Sequence, residues 1–259
     1  MNMPKITAAA IRGMKNRRRI AALTAYDYPT TKLLDAAGIP LILVGDSLGM
    51  VVLGYPDTTQ VTLSEMEHHV RAAARAKPQA LLAADMPFQS YQSPAQALDT
   101  ARRLVAAGAE AVKAEGGRAI LPQVRAILAD GIPFMGHLGM LPQSVLEEKG
   151  YHVKGKTGAE RDTLLADAKA LADAGAFAIV LELVTPPVAR EITQQIPIPT
   201  IGIAAGPDCD GQILVVTDLL GTSPDYIPRH VKKNWRLGEQ MRAAVVEWQE
   251  SVTGPSANR

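Results

Sequence analysis

Pro94-Ala95-Gln96-Ala97-Leu98-Asp99-Thr100-Ala101-Arg102-Arg103-Leu104-Val105-Ala106-Ala107-Gly108-Ala109-Glu110-Ala111-Val112-Lys113-Ala114-Glu115-Gly116-Gly117 holds one complete unit of the fold. Pro94 opens an amphipathic stretch rich in Ala and Leu, at a position where a missing N–H costs nothing. The pattern predicts a helix over 94–107. Gly108 follows, and glycine just past a helix end accepts the left-handed conformation that other residues resist. The short run 111–117 then reads as a strand, with Lys113 and Glu115 two apart and on one face.

The same punctuation recurs at Ala36-Ala37-Gly38-Ile39, Ala129-Asp130-Gly131-Ile132 and Asp173-Ala174-Gly175-Ala176. Working outward from these junctions predicts strands at 21–27, 41–47, 81–87, 111–117, 133–139, 178–184 and 200–206. Helical patterns lie between them at 30–37, 63–76, 94–107, 121–129, 164–174 and 187–195. Strand–helix alternation with nearly continuous apolar strands implies a parallel sheet covered on both faces. Seven strands and a weaker eighth near 226–228 favour a single-domain (β/α)8 barrel, which uses about 250 residues, over a doubly wound open sheet. One domain over 1–259 is expected, ending in an amphipathic helix at about 237–252 and a flexible tail. That helix suits either an outer layer of the barrel or a contact with a partner subunit.

Composition narrows the function. The 259 residues carry 27 Lys+Arg against 26 Asp+Glu, so no long-range field gathers nucleic acid. Eleven aromatic residues are too few for base-stacking platforms. Cys209 is the single cysteine, which excludes an internal disulfide and a multi-cysteine zinc site and suits a reducing, cytoplasmic setting. The basic residues Lys15, Arg17, Arg18 and Arg19 precede an apolar run only six residues long, too short for a signal peptide. No segment approaches the roughly 18 apolar residues of a membrane span.

Polar residues cluster near the C-terminal ends of six of the seven strands: Asp27, Asp46 with Ser47, Asp85, Lys113 with Glu115, His137, and Glu182. Barrel active sites lie at that end. Asp46, Asp85 and Glu115 come from successive strands about 4.8 Å apart, so their carboxylates can converge. Such a group repels itself unless protonated or shared by a cation, and a hard all-oxygen set suits Mg²⁺. Separate salt bridges or helix caps are the alternative. Lys113 reads as an ion-pair partner, a fixed positive charge for an anionic substrate, or a Schiff-base nucleophile. Glu182, set between Leu181 and Leu183, reads as a general base made available by desolvation, or as a buried carboxylate paired with an arginine. His137 fits a core position as well as a substrate contact. Gly202-Ile203-Ala204-Ala205-Gly206 lacks the third glycine of a dinucleotide-binding loop, which argues against a bound dinucleotide.

Several of these residues sit in longer motifs. In order, Leu23-Thr24-Ala25-Tyr26-Asp27, Val44-Gly45-Asp46-Ser47-Leu48-Gly49-Met50 and Ala84-Asp85-Met86-Pro87-Phe88 are followed by Val112-Lys113-Ala114-Glu115-Gly116-Gly117 and Gly136-His137-Leu138-Gly139. Pro142-Gln143-Ser144 and Asp210-Gly211-Gln212-Ile213-Leu214 complete the set. From about residue 20 to residue 233 this ordered set resembles the ketopantoate (3-methyl-2-oxobutanoate) hydroxymethyltransferase family. The resemblance implies a barrel related to the phosphoenolpyruvate/pyruvate enzymes, with Mg²⁺ at Asp46, Asp85 and Glu115. It implies substrate contacts at Asp46, Ser47, Asp85, Lys113 and His137, and a proton acceptor at Glu182. It implies 5,10-methylenetetrahydrofolate as co-substrate, for which no linear signature marks a pocket, and a large homo-oligomer, often a decamer. Another carbon–carbon lyase or aldolase on the same barrel, or a non-catalytic barrel scaffold, are the competing readings. Ala204 stands where the family usually has glycine, Lys154 where it has glutamine, and Arg229 within Pro228-Arg229-His230-Val231 where it has Pro-Lys-Phe.

Overall fold

The computed structural model describes residues 4–223, 227–232 and 234–254. Eight parallel strands pair in chain order and close into a barrel. They are β1 (Ile20–Thr24), β2 (Leu41–Val44), β3 (Leu81–Asp85), β4 (Ala111–Glu115), β5 (Phe134–Gly139), β6 (Ala178–Glu182), β7 (Thr200–Ile203) and β8 (Gly211–Leu214). Six of them lie inside the stretches expected from sequence and β1 starts one residue before its stretch; most end two or three residues earlier than expected. The apolar runs continue into loops that remain buried, so hydrophobicity alone overstates strand length.

The eighth strand corrects an expectation. It is Gly211–Leu214, paired with β7 through Ile201↔Gly211 and Gly202↔Gln212. Residues 227 and 228 belong to no strand, and Tyr226 lies outside the described residues. Gly211 is required where β8 meets β1, since a Cβ there would stand 2.4 Å from the Ile20 carbonyl oxygen. A small residue followed by Gln212 interrupts the apolar pattern that marks the other strands.

Along each strand the inward positions alternate. Ile20, Ala22, Leu41, Leu43, Leu81, Ala83, Ala111, Met135, Ala178, Val180, Ile201 and Ile213 belong to one buried cluster. This is the packed interior of a parallel barrel, filled mainly by branched and small residues. Below it lies an element that sequence reasoning overlooked, the helix Ala8–Arg12. Ala8 and Ile11 join the cluster, and Ile6 and Met14 pack against it, so this end of the barrel is stoppered.

Outer helices pack on the strands through the glycine junctions. Ser93 caps the helix Pro94–Ala107 by accepting from the Gln96 N–H, and Gly108 ends it at φ +117°. A Cβ on Gly108 would also come within 2.4 Å of the Ala74 side chain on the neighbouring helix Leu63–Ala74. The residue therefore serves both backbone conformation and close packing.

The chain gathers into two compact units, Met1–Ile213 and Leu214–Arg259, and the barrel interior belongs to the first. In the second, backbone bonds from Trp235 N–H to the Leu219 carbonyl and from Gly238 N–H to the Gly221 carbonyl, each 3.1 Å, join the helices Val216–Leu220 and Leu237–Thr253. The expected helix at 237–252 is thus present, and the tail beyond residue 254 lies outside the described residues. No helix among the described residues is long and apolar enough to cross a membrane.

Ala204, after β7, has φ +53°. An L-residue in that region carries a steric cost of roughly 1–2 kcal/mol, which glycine lacks. Glycine also loses about 0.4–1 kcal/mol through its freer unfolded chain. Ala204→Gly is therefore expected to stabilise the protein by about 0.5–1 kcal/mol, read as a melting midpoint roughly 1–4 °C higher. A lower midpoint would mean that the Ala204 methyl makes packing contacts worth more than its strain.

Candidate active site

The inward parity that builds the apolar interior carries on to the mouth of the barrel, where its members become polar. Leu81 and Ala83 lead to Asp85, Ala111 to Lys113 and Glu115, Met135 to His137, and Ala178 and Val180 to Glu182. Register then sets the neighbours: Asp85 lies opposite Lys113, Glu115 opposite His137, and Gly139 opposite Glu182. On β2 the next inward position is Gly45, where a Cβ would meet the Ser47 Oγ at 2.9 Å. That vacancy lets the chain turn, and Asp46 and Ser47 follow from the turn. The Asp46 N–H donates to Asp85 Oδ2 at 3.1 Å, and the Tyr26 hydroxyl and Ser47 Oγ share a hydrogen bond of 2.9 Å.

Lys113 occupies the centre. Its Nζ lies 2.8 Å from Asp85 Oδ1 and donates to His137 Nδ1 at 3.2 Å. An ammonium can only donate, so Nδ1 accepts and the imidazole proton resides on Nε2. Nε2 lies 3.5 Å from Glu182 Oε2. Burial, reinforced by the Lys113 charge, holds the His137 pKa well below its ordinary value, so the ring is neutral.

The same enclosure acts on the acids. Burial, then the nearby Asp85 charge, pushes Asp46 up to about 7, against the pull of Lys113 and Gln143. Burial and Asp46 drive Glu115 well above the carboxylate range. Burial alone would lower Lys113, but the charges of Asp85, Glu115 and Asp46 outweigh it and leave the ammonium more firmly protonated than usual. Glu182 is raised to about 8 by burial. It still has 17 % of its side chain open to solvent, so it faces the mouth.

Every candidate from the strand ends except Asp27 is brought into this cluster. Asp27 caps the helix Tyr28–Ala36 instead, accepting from the Thr30 N–H at 2.8 Å, and is exposed. Two members were missed. Gln143 Nε2 donates to Asp46 Oδ2 at 2.7 Å, and its backbone N–H donates to Glu115 Oε2 at 3.0 Å. Tyr91 donates its hydroxyl proton to Gln143 Oε1 at 2.6 Å. Neither sits on a strand. The only sequence signal for Gln143 was its place in the motif Pro142-Gln143-Ser144.

Among the described residues no three His, Cys, Asp or Glu side chains close into a ready-made metal cage. Lys113 is the reason visible in the geometry, since its ammonium sits against Asp85. The donor set nonetheless fits an open Mg²⁺ site. Glu115 Oε1 is buried without a hydrogen-bond partner, while Asp85 Oδ1 faces the Lys113 ammonium at 2.8 Å. Mg²⁺ is ordinarily held by one or two carboxylates, with waters and substrate completing the shell, so a closed protein cage is not required.

Lys154 lies near this mouth. Its Nζ pairs with Glu148, and its backbone N–H donates to the Leu183 carbonyl at 2.8 Å, just past Glu182. The backbone at Lys154 thus ties the loop following β5 to the end of β6, while its side chain pairs within that loop.

Comparison with known proteins gives the family and the fold. The 3-methyl-2-oxobutanoate hydroxymethyltransferase of Moorella thermoacetica is 51% identical over 251 residues, covering 96% of this chain and 93% of that protein. The enzyme of the same name from Ignicoccus hospitalis is 52% identical over 252 residues, covering 96% and 95%. Among solved structures, a phosphonopyruvate hydrolase complex with oxalate and Mg²⁺ superposes with a TM-score of 0.63 at 17% identity, covering 99% of this chain and 92% of that one. A 2,3-dimethylmalate lyase, a PEP mutase/isocitrate lyase superfamily member, gives 0.62 at 17%, covering 100% and 91%. At these identities the solved structures speak for the barrel alone. The family model described as ketopantoate hydroxymethyltransferase matches residues 5–256, and with half the sequence shared across whole-length relatives, this chain belongs to that family.

Proposed function

We propose that this enzyme transfers a hydroxymethyl group from 5,10-methylenetetrahydrofolate to 3-methyl-2-oxobutanoate, giving 2-dehydropantoate. The observation that carries the reading is the division of labour at the mouth. A solvent-reachable carboxylate with raised pKa, Glu182, lies on one side of neutral His137, and a buried ammonium among three acids lies on the other.

Asp46, Asp85 and Glu115 would hold Mg²⁺, with Ser47, Lys113 and His137 beside the ketoacid. When bound, the ion supplies Lewis-acid polarisation and a template for a 2-oxoacid. Lys113 stabilises negative charge as it develops on the keto oxygen. Glu182 takes the C3 proton, and its raised pKa gives it the basicity for that transfer near neutral pH. His137 Nε2–H lies 3.5 Å from the carboxylate that receives the proton, close enough to favour its charged form. Water releases the methylene carbon from both folate nitrogens as formaldehyde, leaving tetrahydrofolate; the C3 carbanion equivalent adds to that carbonyl carbon, and the resulting alkoxide takes back the proton held by Glu182 to become the hydroxyl. The folate brings the carbon; the barrel orients it and keeps bulk water out. A Schiff-base aldolase needs a lysine with a lowered pKa. Lys113, held protonated by its acidic neighbours, is poorly suited to that role.

A cytoplasmic setting and a large homo-oligomer belong to the same proposal. A mass in solution several times the 27.6 kDa of one chain is the expectation for the latter.

The direct test is proton NMR of 3-methyl-2-oxobutanoate in D₂O with the enzyme. Loss of the C3 proton signal that depends on Mg²⁺ is expected, followed by hydroxymethylated product when methylenetetrahydrofolate is added. No exchange and no product under any condition would discard the assigned substrate while leaving the barrel in place.

A further inference from the structure

Gln143 joins three parts of the mouth that are far apart in sequence. It lies in the short turn Pro142–Ser144 after β5 and is itself buried. Its carboxamide has four hydrogen-bonding opportunities, three of which are used. Nε2 donates to Asp46 Oδ2 at 2.7 Å and to the Met86 carbonyl at 3.0 Å, while Oε1 accepts from Tyr91 at 2.6 Å. The Met86 carbonyl settles which way the amide faces, because an atom that can only accept must meet nitrogen, which leaves oxygen at the other end to accept from the Tyr91 hydroxyl. The N–H at the start of a turn has no partner within that turn, and here it reaches Glu115 Oε2 at 3.0 Å.

We infer that Gln143, oriented by Tyr91, is a positioning residue that anchors one oxygen of Asp46 and one of Glu115, so that the remaining carboxylate oxygens are aimed together at a divalent cation. The inference rests on the proposal that these acids hold the metal. The residue type follows from the surroundings. A glutamate at 143 would add a fourth carboxylate against Asp46. An apolar residue would leave Asp46 Oδ2, the Met86 carbonyl and the Tyr91 hydroxyl without their shared partner in a buried site. A carboxamide donates to the acid and accepts from the tyrosine without adding charge, and glutamine here reaches both. The main-chain contact to Glu115 survives side-chain replacement, so the effect falls first on Asp46.

The test is a titration with Mn²⁺, followed by the electron paramagnetic resonance of the free ion, on wild type, Gln143→Leu, Tyr91→Phe and Glu115→Gln. Residues that orient metal ligands from behind cost about 10–100-fold in metal affinity when replaced. Gln143→Leu is expected in that range, and Tyr91→Phe to weaken binding less and in the same direction. Turnover of Gln143→Leu should recover toward wild type at high metal concentration, whereas a variant damaged in its fold would not recover. If Gln143→Leu does not fold, Tyr91→Phe carries the test alone. Wild-type Mn²⁺ affinity in both glutamine and tyrosine variants, with loss in Glu115→Gln, would overturn the inference and leave the metal site standing. Equal affinity in wild type and Glu115→Gln, or no binding at all, would remove the metal site and the inference with it.

Discussion

Glu182→Gln should bind Mg²⁺ and 3-methyl-2-oxobutanoate much as wild type does, yet lose about 10²–10⁴-fold in turnover, the range for removing a general base. The two measurements must be made on one preparation. Loss of metal affinity in step with turnover would contradict the role assigned, because Glu182 lies across His137 from the acid cluster. The wild-type rate should also carry the signature of this group. With a pKa near 8, the carboxylate fraction, and so the rate of C3 proton exchange, rises about tenfold per pH unit below 8 and levels off above it. Glu182→Gln should abolish that limb. Stability moves the other way. The folded pKa lies above the ordinary 4.5, so ionising Glu182 costs the native state more than the unfolded chain. Wild type therefore loses stability as pH rises from about 4.5 to 8, whereas the glutamine variant is spared. At pH 9 the variant should be the more stable by a few kcal/mol, at roughly 1.4 kcal/mol per unit of pKa difference. A variant less stable than wild type at pH 9 would mean that Glu182 makes stabilising contacts as an anion.

Lys113→Met should produce the largest change in stability. The substitution preserves much of the aliphatic bulk but leaves Asp46, Asp85 and Glu115 enclosed without their cation. Removing one partner of a buried ion pair costs about 3–5 kcal/mol. For a chain of this size that corresponds to a fall in melting midpoint of roughly 6–20 °C in metal-free buffer. The deficit should be larger at pH 8 than at pH 6. Asp46, raised to about 7 even with the lysine present, is largely protonated at the lower pH and repels its neighbours less. Mg²⁺ should recover part of the loss by supplying positive charge to the same acids. Thermal denaturation with chelator at both pH values, then with Mg²⁺, decides it. Equal midpoints for variant and wild type in metal-free buffer would show that Lys113 is not what holds the acids together.

Much of this architecture can be read from local signals. Glycines such as Gly108 and Gly175 mark the helix ends because few other residues tolerate the left-handed conformation found there. Lys113 and Glu115 announce a shared face because strand side chains alternate. Elements without such a signal were lost. Gly211-Gln212-Ile213-Leu214 is too short and too polar to stand out, and the helix Ala8–Arg12 has too few residues for a periodic pattern. Asp27 shows the opposite error. Its place after an apolar run looked like the other strand ends, but the helix that follows takes its carboxylate as a cap. Gln143 and Asp46 meet across 97 positions, a contact that no local pattern encodes.

The packed interior of the barrel, with the helix Ala8–Arg12 beneath it, has a kinetic consequence. The barrel interior above Ile6, Ile11 and Met14 is filled with side chains, so the polar cluster can be reached only from the mouth. Two molecules that must meet at its floor can only queue. For the substrates proposed here, the small ketoacid goes in first and the bulky pterin follows as a cork. On the way out the spent carrier leaves before the lengthened acid. Order of traffic thus follows from apolar layers packed beneath the chemistry, which leave a single side from which to approach it.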